Sequence, residues 1–209
     1  DTSDNRNGPA FGLFATLSDG TVVQLPEIKE VQVQLIHNAP DQAVETVDVY
    51  DNASGDRIAD DLSFREATAF QRISFIDSTY RVSLAPRRST AITETSASFT
   101  LSGLQDEGQY LITAKGILPG NEPSYEDFQP LALSVKPMAR QAANSSGNTD
   151  IVVHHGAPVA PAVDIYETGQ KAGQLLDGWS YSSFSANYLE LPTANYELAI
   201  QPDETATAV

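Results

Sequence analysis

The chain has no cysteine. Disulfides and thiolate metal centres are thereby excluded, and stability is left to burial and hydrogen bonding. Cations are scarce as well: 12 basic residues, only four of them lysines (Lys29, Lys115, Lys136, Lys171), face 28 acidic ones, for a net charge of −16. Such a surface repels nucleic acid and anionic membranes, which both need a basic footprint, so neither is expected as a partner. It suits the solvation of an exported protein. No apolar run approaches the roughly 18–20 residues that span a bilayer, and no direct membrane insertion is expected. The chain also lacks a G-x-S-x-G elbow, a P-loop and a G-x-G-x-x-G turn. Without those motifs or a cysteine nucleophile, it reads as a non-enzyme. An opening on Asp1 rather than Met fits a chain from which an export signal has been removed.

What is present is a period of two. Val31, Val33 and Leu35 alternate with Gln32 and Gln34, and Tyr80, Val82 and Leu84 with Arg81 and Ser83. The same alternation recurs at Phe99/Leu101, Tyr110/Ile112/Ala114, Leu131/Leu133/Val135 and Tyr196/Leu198/Ile200. It places one side of each segment on a core and the other in water. Turn-formers at 52–55, 77–79, 103–108 and 119–123 separate the runs. No segment holds an apolar helical period for about 12 residues, so the chain is expected to be all-β and sandwich-like.

One phrase occurs twice. "HNAPDQAVETVDVY" (37–50) returns as "HGAPVAPAVDIY" (155–166). Val47-Asp48-Val49-Tyr50 matches Val163-Asp164-Ile165-Tyr166 at an offset of 116, which also pairs Asp61 with Asp177, Tyr80 with Tyr196, Val82 with Leu198, Leu84 with Ile200 and Pro86 with Pro202. An offset held this long is the mark of a structural repeat. Between the copies, "KPMARQAANSSGNT" (136–149) has the polar, Asn/Ser/Gly-rich composition of a linker. The expected organisation is an N-terminal extension over 1–28, a full repeat over 29–136, a linker over 137–149 and a second, incomplete repeat over 150–209.

The pattern V-x-V-x-H-x-x-P-D…V-D-V-Y, with "FTLSGLQDEGQYLITAKG" (99–116) after it, resembles a domain family of unknown function from exported, surface-associated microbial proteins. His37, Pro40, Asp41, Asp48 and Tyr50 carry the likeness, whereas the second copy has Val159 in place of Asp41. The resemblance implies tandem immunoglobulin-like β-sandwiches at the cell surface or outside the cell. It supplies no catalytic residues.

After Pro86 the first copy provides three further strands, expected at 98–101, 109–116 and 129–136; after Pro202 only "DETATAV" follows. A sandwich without those strands exposes apolar core and unpaired edges. The N-terminal segment "AFGLFATLSDGTVVQLP" (10–26) reads as a hairpin turning at Asp19-Gly20. Its "FGLFATL" resembles "YLITAKG" (110–116), and "GTVVQLP" resembles "FQPLALSV" (128–135). Phe11, Leu13, Ala15, Leu17, Val23 and Leu25 are therefore expected to be donor contacts, with Tyr196, Leu198 and Ile200 on the acceptor repeat. The hairpin would complete the second repeat in cis, or that of a neighbouring copy in trans, giving a head-to-tail homopolymer; the plainer alternatives are a chain cut from a longer tandem array and a second repeat that is simply a shorter variant.

Other candidates are weaker. His37 and His155, with Asp48 and Asp164, form either a metal or ligand site at the sandwich tip or a hydrogen-bonded turn; the turn is favoured because buried polar groups are satisfied locally. The acid pairs Asp60-Asp61, Asp106-Glu107 and Glu126-Asp127 are candidate calcium ligands without ordered loop spacing, so no cofactor is expected. Trp179 and Tyr181 could stack on sugar rings. Asn52 and Asn144 open glycosylation sequons. Two functions follow: a subunit of an extracellular filament or surface fibre, or a surface-anchored adhesion module for carbohydrate or protein.

Overall fold

The computed structural model describes residues 12–76, 79–120, 129–169 and 173–203. Phe11 and the pair Glu126-Asp127 lie outside the described residues. Within them the protein is all-β, with short 3-10 turns and no α-helix. Among the described residues, no helix is long and apolar enough to cross a membrane.

The first two strands, β1 (Phe14–Thr16) and β2 (Val22–Gln24), form a hairpin of their own. Asp19-Gly20 makes its turn, with Gly20 at φ +85° and the Asp19 carboxylate accepting the Thr21 N–H at 2.9 Å. Eight strands follow: β3 (Ile28–Asn38), β4 (Thr46–Asp51), β5 (Arg57–Ser63), β6 (Gln71–Ile76), β7 (Thr79–Pro86), β8 (Ala97–Ser102), β9 (Gln109–Lys115) and β10 (Ala132–Pro137). They form two four-stranded sheets, ordered β10-β9-β3-β6 and β5-β4-β7-β8. All neighbours are antiparallel except β3 and β9, which run parallel with Leu35 opposite Ile112.

The alternating apolar residues of both sheets meet in one core. Val31, Val33 and Leu35 of β3, Ile73 and Phe75 of β6, and Tyr110 and Ile112 of β9 pack with Val47, Val49, Val82, Leu84 and Leu101 of the other sheet. Each such side chain contributes roughly 1.5–3 kcal/mol by leaving water.

The remaining strands are fewer. β11 (Asn148–Ile151) pairs with β14 (Leu189–Pro192), and β12 (Val163–Glu167) lies between β13 (Gly173–Trp179) and β15 (Leu198–Pro202). β12 thus has the neighbours that β4 has in β5 and β7, in the same register: Val47 opposes Pro86, and Val163 opposes Pro202. Among the described residues, nothing stands where β8, β9 and β10 stand in the first sheet pair.

The two sheet pairs touch. Ser134 and Lys136, on β10, meet Ser182 (Oγ–Oγ 3.2 Å) and the Ala186 carbonyl (2.8 Å from Lys136 Nζ). Lys115, at the end of β9, places its ammonium 4.6 Å from the Tyr181 ring centroid. Lys115 and Lys136 are both 7% exposed, so two of the four lysines serve this contact rather than the surface. The segment between β10 and β11 is tied to both pairs. Its Arg140 bridges Asp150 (2.6 Å) and Glu190 (2.7 Å), and Gln141 bonds Gln32 of β3.

Candidate functional site

The repeated phrase builds a histidine-anchored loop twice, the first with a 3-10 turn at Gln42–Val44 that the second lacks. Ala39 N–H donates to His37 Nδ1 (3.3 Å), so Nε2 carries the proton and donates to the Val44 carbonyl at 2.5 Å. His155 Nε2 donates to the Pro161 carbonyl at 3.0 Å. His37 is 2% exposed, and burial holds its pKa below the ordinary value despite the bond to Val44. The imidazole therefore locks a loop, and its ring nitrogens are engaged with backbone.

The aspartates behave likewise. Asp48 Oδ1 accepts the Asp61 N–H, and Asp164 Oδ1 accepts the Gly178 N–H, both at 2.8 Å. Both donors sit in a left-handed bulge, Asp61 at φ +48° and Gly178 at φ +57°. The partner of Asp61 is thus Gly178, at an offset of 117, and not Asp177. The β-bulge in each strand pair absorbs the slip. Burial pushes the Asp48 carboxyl up, but bonds from Asp61 and Ser89 (2.6 Å) and the charge of Arg57 outweigh it and hold the pKa low.

Among the calcium candidates, Asp60 and Asp61 gather with Asp48. Their counter-charge is Arg57, 2.8 Å from Asp60 and 3.4 Å from Asp48. Asp106 accepts the Glu30 N–H at 2.8 Å and pins the start of β3. Asn52 accepts from Ser83 at 2.9 Å, whereas Asn144 is exposed.

The two sheet pairs differ inside. In the first, Leu35, His37, Val47, Val49, Leu62 and Leu84 line an interior closed by Ile112, Ala114 and Leu133 of β9 and β10, leaving about 20 Å³. In the second, the matching residues are Val153, His155, Val163, Ile165, Trp179 and Ile200. They line a hollow of about 230 Å³ that no β9- or β10-like strand among the described residues closes. Val82 and Leu84 are 3% and 4% exposed; Leu198 and Ile200, at the same register positions, are 57% and 68% exposed. Tyr196, half-buried, donates its hydroxyl to the Pro192 carbonyl at 2.6 Å.

Trp179 is a wall of this hollow, its indole N–H donating to the Ser183 carbonyl at 3.2 Å. Tyr181 lies between Lys115 and the edge of the His155 ring (centroids 6.1 Å apart), with its hydroxyl buried and without a partner.

The hairpin of β1 and β2 carries an alternating apolar face of its own. Ala15 pairs with Val23, Leu25 N–H donates to the Leu13 carbonyl (2.7 Å), and Leu17 N–H donates to the Thr21 carbonyl (2.8 Å). Leu13, Ala15, Leu17, Val23 and Leu25 therefore share one face. Leu13, Leu17, Val23 and Leu25 are 61%, 50%, 43% and 46% exposed. The pairing copies that of the closing strands: Ala15–Val23 corresponds to Ala114–Leu133, and Leu13–Leu25 to Ile112–Val135. The burial of Lys115 and Lys136 arises from contact between the sheet pairs, which no local period encodes.

No family model and no curated protein matches the chain. The likeness drawn from the repeated signature therefore rests on its residues alone.

Proposed function

We propose that the protein is a structural subunit of an extracellular filament or surface fibre, in which the N-terminal hairpin of one copy fills the open interior of the next. The subunit is read as two immunoglobulin-like repeats, over 29–136 and 150–209, joined by 137–149 and preceded by a donor hairpin within 1–28. The supporting observation is the contrast at equivalent positions: Leu198 and Ile200 stand exposed where Val82 and Leu84 are buried. The hairpin carries the missing complement on one face, in the pairing used by the strands that close the first interior. Exchange of a hairpin between copies is head-to-tail, and a head-to-tail contact whose rotation does not close into a ring yields an open polymer. An adhesion role receives less support, since Trp179 belongs to the wall of the hollow and the Tyr181 ring is occupied by Lys115.

The absence of cysteine makes the test direct. Leu13 stands for Ile112 and Val153 for Leu35, and Leu35 and Ile112 are partners in the parallel pair. A Leu13→Cys/Val153→Cys double variant is expected to give a disulfide-linked ladder on a non-reducing gel, lost on adding Ala15→Arg. Oxidised product that stays entirely monomeric and uncrosslinked defeats the proposal. An intrachain crosslink assigns the hairpin to its own second repeat and favours the surface-module reading.

A further inference from the structure

The tether between hairpin and body is short. Only 25–27 separate the last residue of β2 from the first of β3, so Gln24 and Ile28 lie at most about 14 Å apart across four Cα steps. Whatever holds the hairpin must therefore stand beside the end of the first sheet pair where Ile28 begins.

That end is apolar and open. Ile28 opposes Ile76 at the edge of its sheet, and the two are 63% and 47% exposed. They rim a hollow of about 620 Å³ that also reaches Phe75 and Tyr80, whose rings meet edge-on at 6.3 Å. The hollow lies opposite the His37 tip, because β3 runs from Ile28 to Asn38.

Strand direction tells which part of the acceptor arrives there. If β1 follows β9, it runs parallel to β11, and β2 returns toward the Asn148 end. Asn148 pairs with Pro192, so the loop between β14 and β15, at 193–197, is at that end. We infer that the Ile28/Ile76 rim is a second contact surface, which docks on the 193–197 loop of the same copy that holds the hairpin. This rests on the hairpin-exchange reading and adds an end-to-end joint to it. The joint removes two apolar side chains from water and limits swivelling about the tether.

The test uses the full chain in the Leu13→Cys/Val153→Cys background. Ile76→Asp and the milder Ile76→Thr are each compared with the parent, under reducing conditions by sedimentation velocity and under oxidising conditions by gel. Burial of one such side chain predicts a rise of roughly tenfold or more in the midpoint concentration of assembly for Ile76→Asp, less for Ile76→Thr. The crosslinked ladder should persist at high protein concentration. A ladder with unchanged assembly midpoints in both variants overturns the end-to-end joint and leaves hairpin exchange standing. No ladder in the parent overturns both.

Discussion

The two sheet pairs are the same fold element brought to different ends. Both hold the loop histidine, the bulge and the carboxylate on a backbone N–H in nearly the same geometry. They part where the first receives β9 and β10 and, among the described residues, the second receives no counterpart. Local turn chemistry is thus common to both pairs, whereas closure of the first depends on strands distant in the chain. Ile165 is 7% exposed even in the open pair, so the hollow has a firm floor and loses cover only on one side.

Substitution at matched positions separates the two most widely. Leu84→Ala is expected to lower the unfolding free energy by about 2–5 kcal/mol. Ile200→Ala should cost the unassembled protein only about 0.5 kcal/mol. Urea unfolding of dilute protein measures both, and equal losses would mean the second interior is filled in solution.

The next contrast is between the aspartates. Asp48 is fully buried and held by Ser89, Asp61 and Arg57, whereas Asp164 has the Gly178 N–H at 2.8 Å and a long contact to the Tyr166 hydroxyl at 3.5 Å. Asp48→Asn should cost about 1–3 kcal/mol and Asp164→Asn less. Because the Asp48 pKa is lower folded than unfolded, its contribution is present above pH ~4 and drains as acid protonates it. Tm measured from pH 6 to 2 should show a shallower acid loss in Asp48→Asn than in the parent.

A third difference lies at position 154, where the first pair carries Ile36. His154 stacks on Phe184 (4.3 Å) with Nε2 buried and without a partner. Burial above all, then the charges of Lys115 and His155, lowers its pKa from 6.5 to about 4. Protons therefore favour the unfolded chain, and stability should fall as pH drops from about 6.5 toward 4. His154→Ile should remove that part of the slope and stabilise by about 1 kcal/mol at neutral pH; an unchanged Tm profile would contradict it.

The smallest effect concerns Gly156, where a Cβ would lie 1.9 Å from Asn38 Nδ2. Gly156→Ala forces the Asn38 amide aside and should cost up to about 1 kcal/mol. Adding Asn38→Gly should restore the loss, as thermal unfolding would record.

Alternation and the repeated phrase made the strands, the shared turns and the hairpin face legible, since each is written within a few residues. The parallel pairing of β3 with β9 was not legible. It joins segments 77 positions apart, as in Gln32 with Gln109, and nothing local marks either as the partner. The one-residue slip that makes Gly178 the counterpart of Asp61 was hidden because a bulge changes register without changing the alternation on either side. Lys115 and Lys136 read as solvent-facing strand residues. They are buried because the second sheet pair covers that side, with Tyr181 and the Ala186 carbonyl over them.

That distant parallel pairing also bears on how the chain folds. Contacts across so many residues form late, because loop closure must be met before the strand interaction rewards it. Until β9 is available, the first sheet pair consists of β3 to β8 and is open on the side that β9 and β10 later close. For that interval the interior lined by Leu35, Val49 and Leu84 lacks the cover of Ile112, Ala114 and Leu133, and its apolar side chains are open to other nascent chains. Fast docking of β9 against β3 is thus what keeps the folding chain from aggregating, set by folding rate rather than by the strength of any one contact.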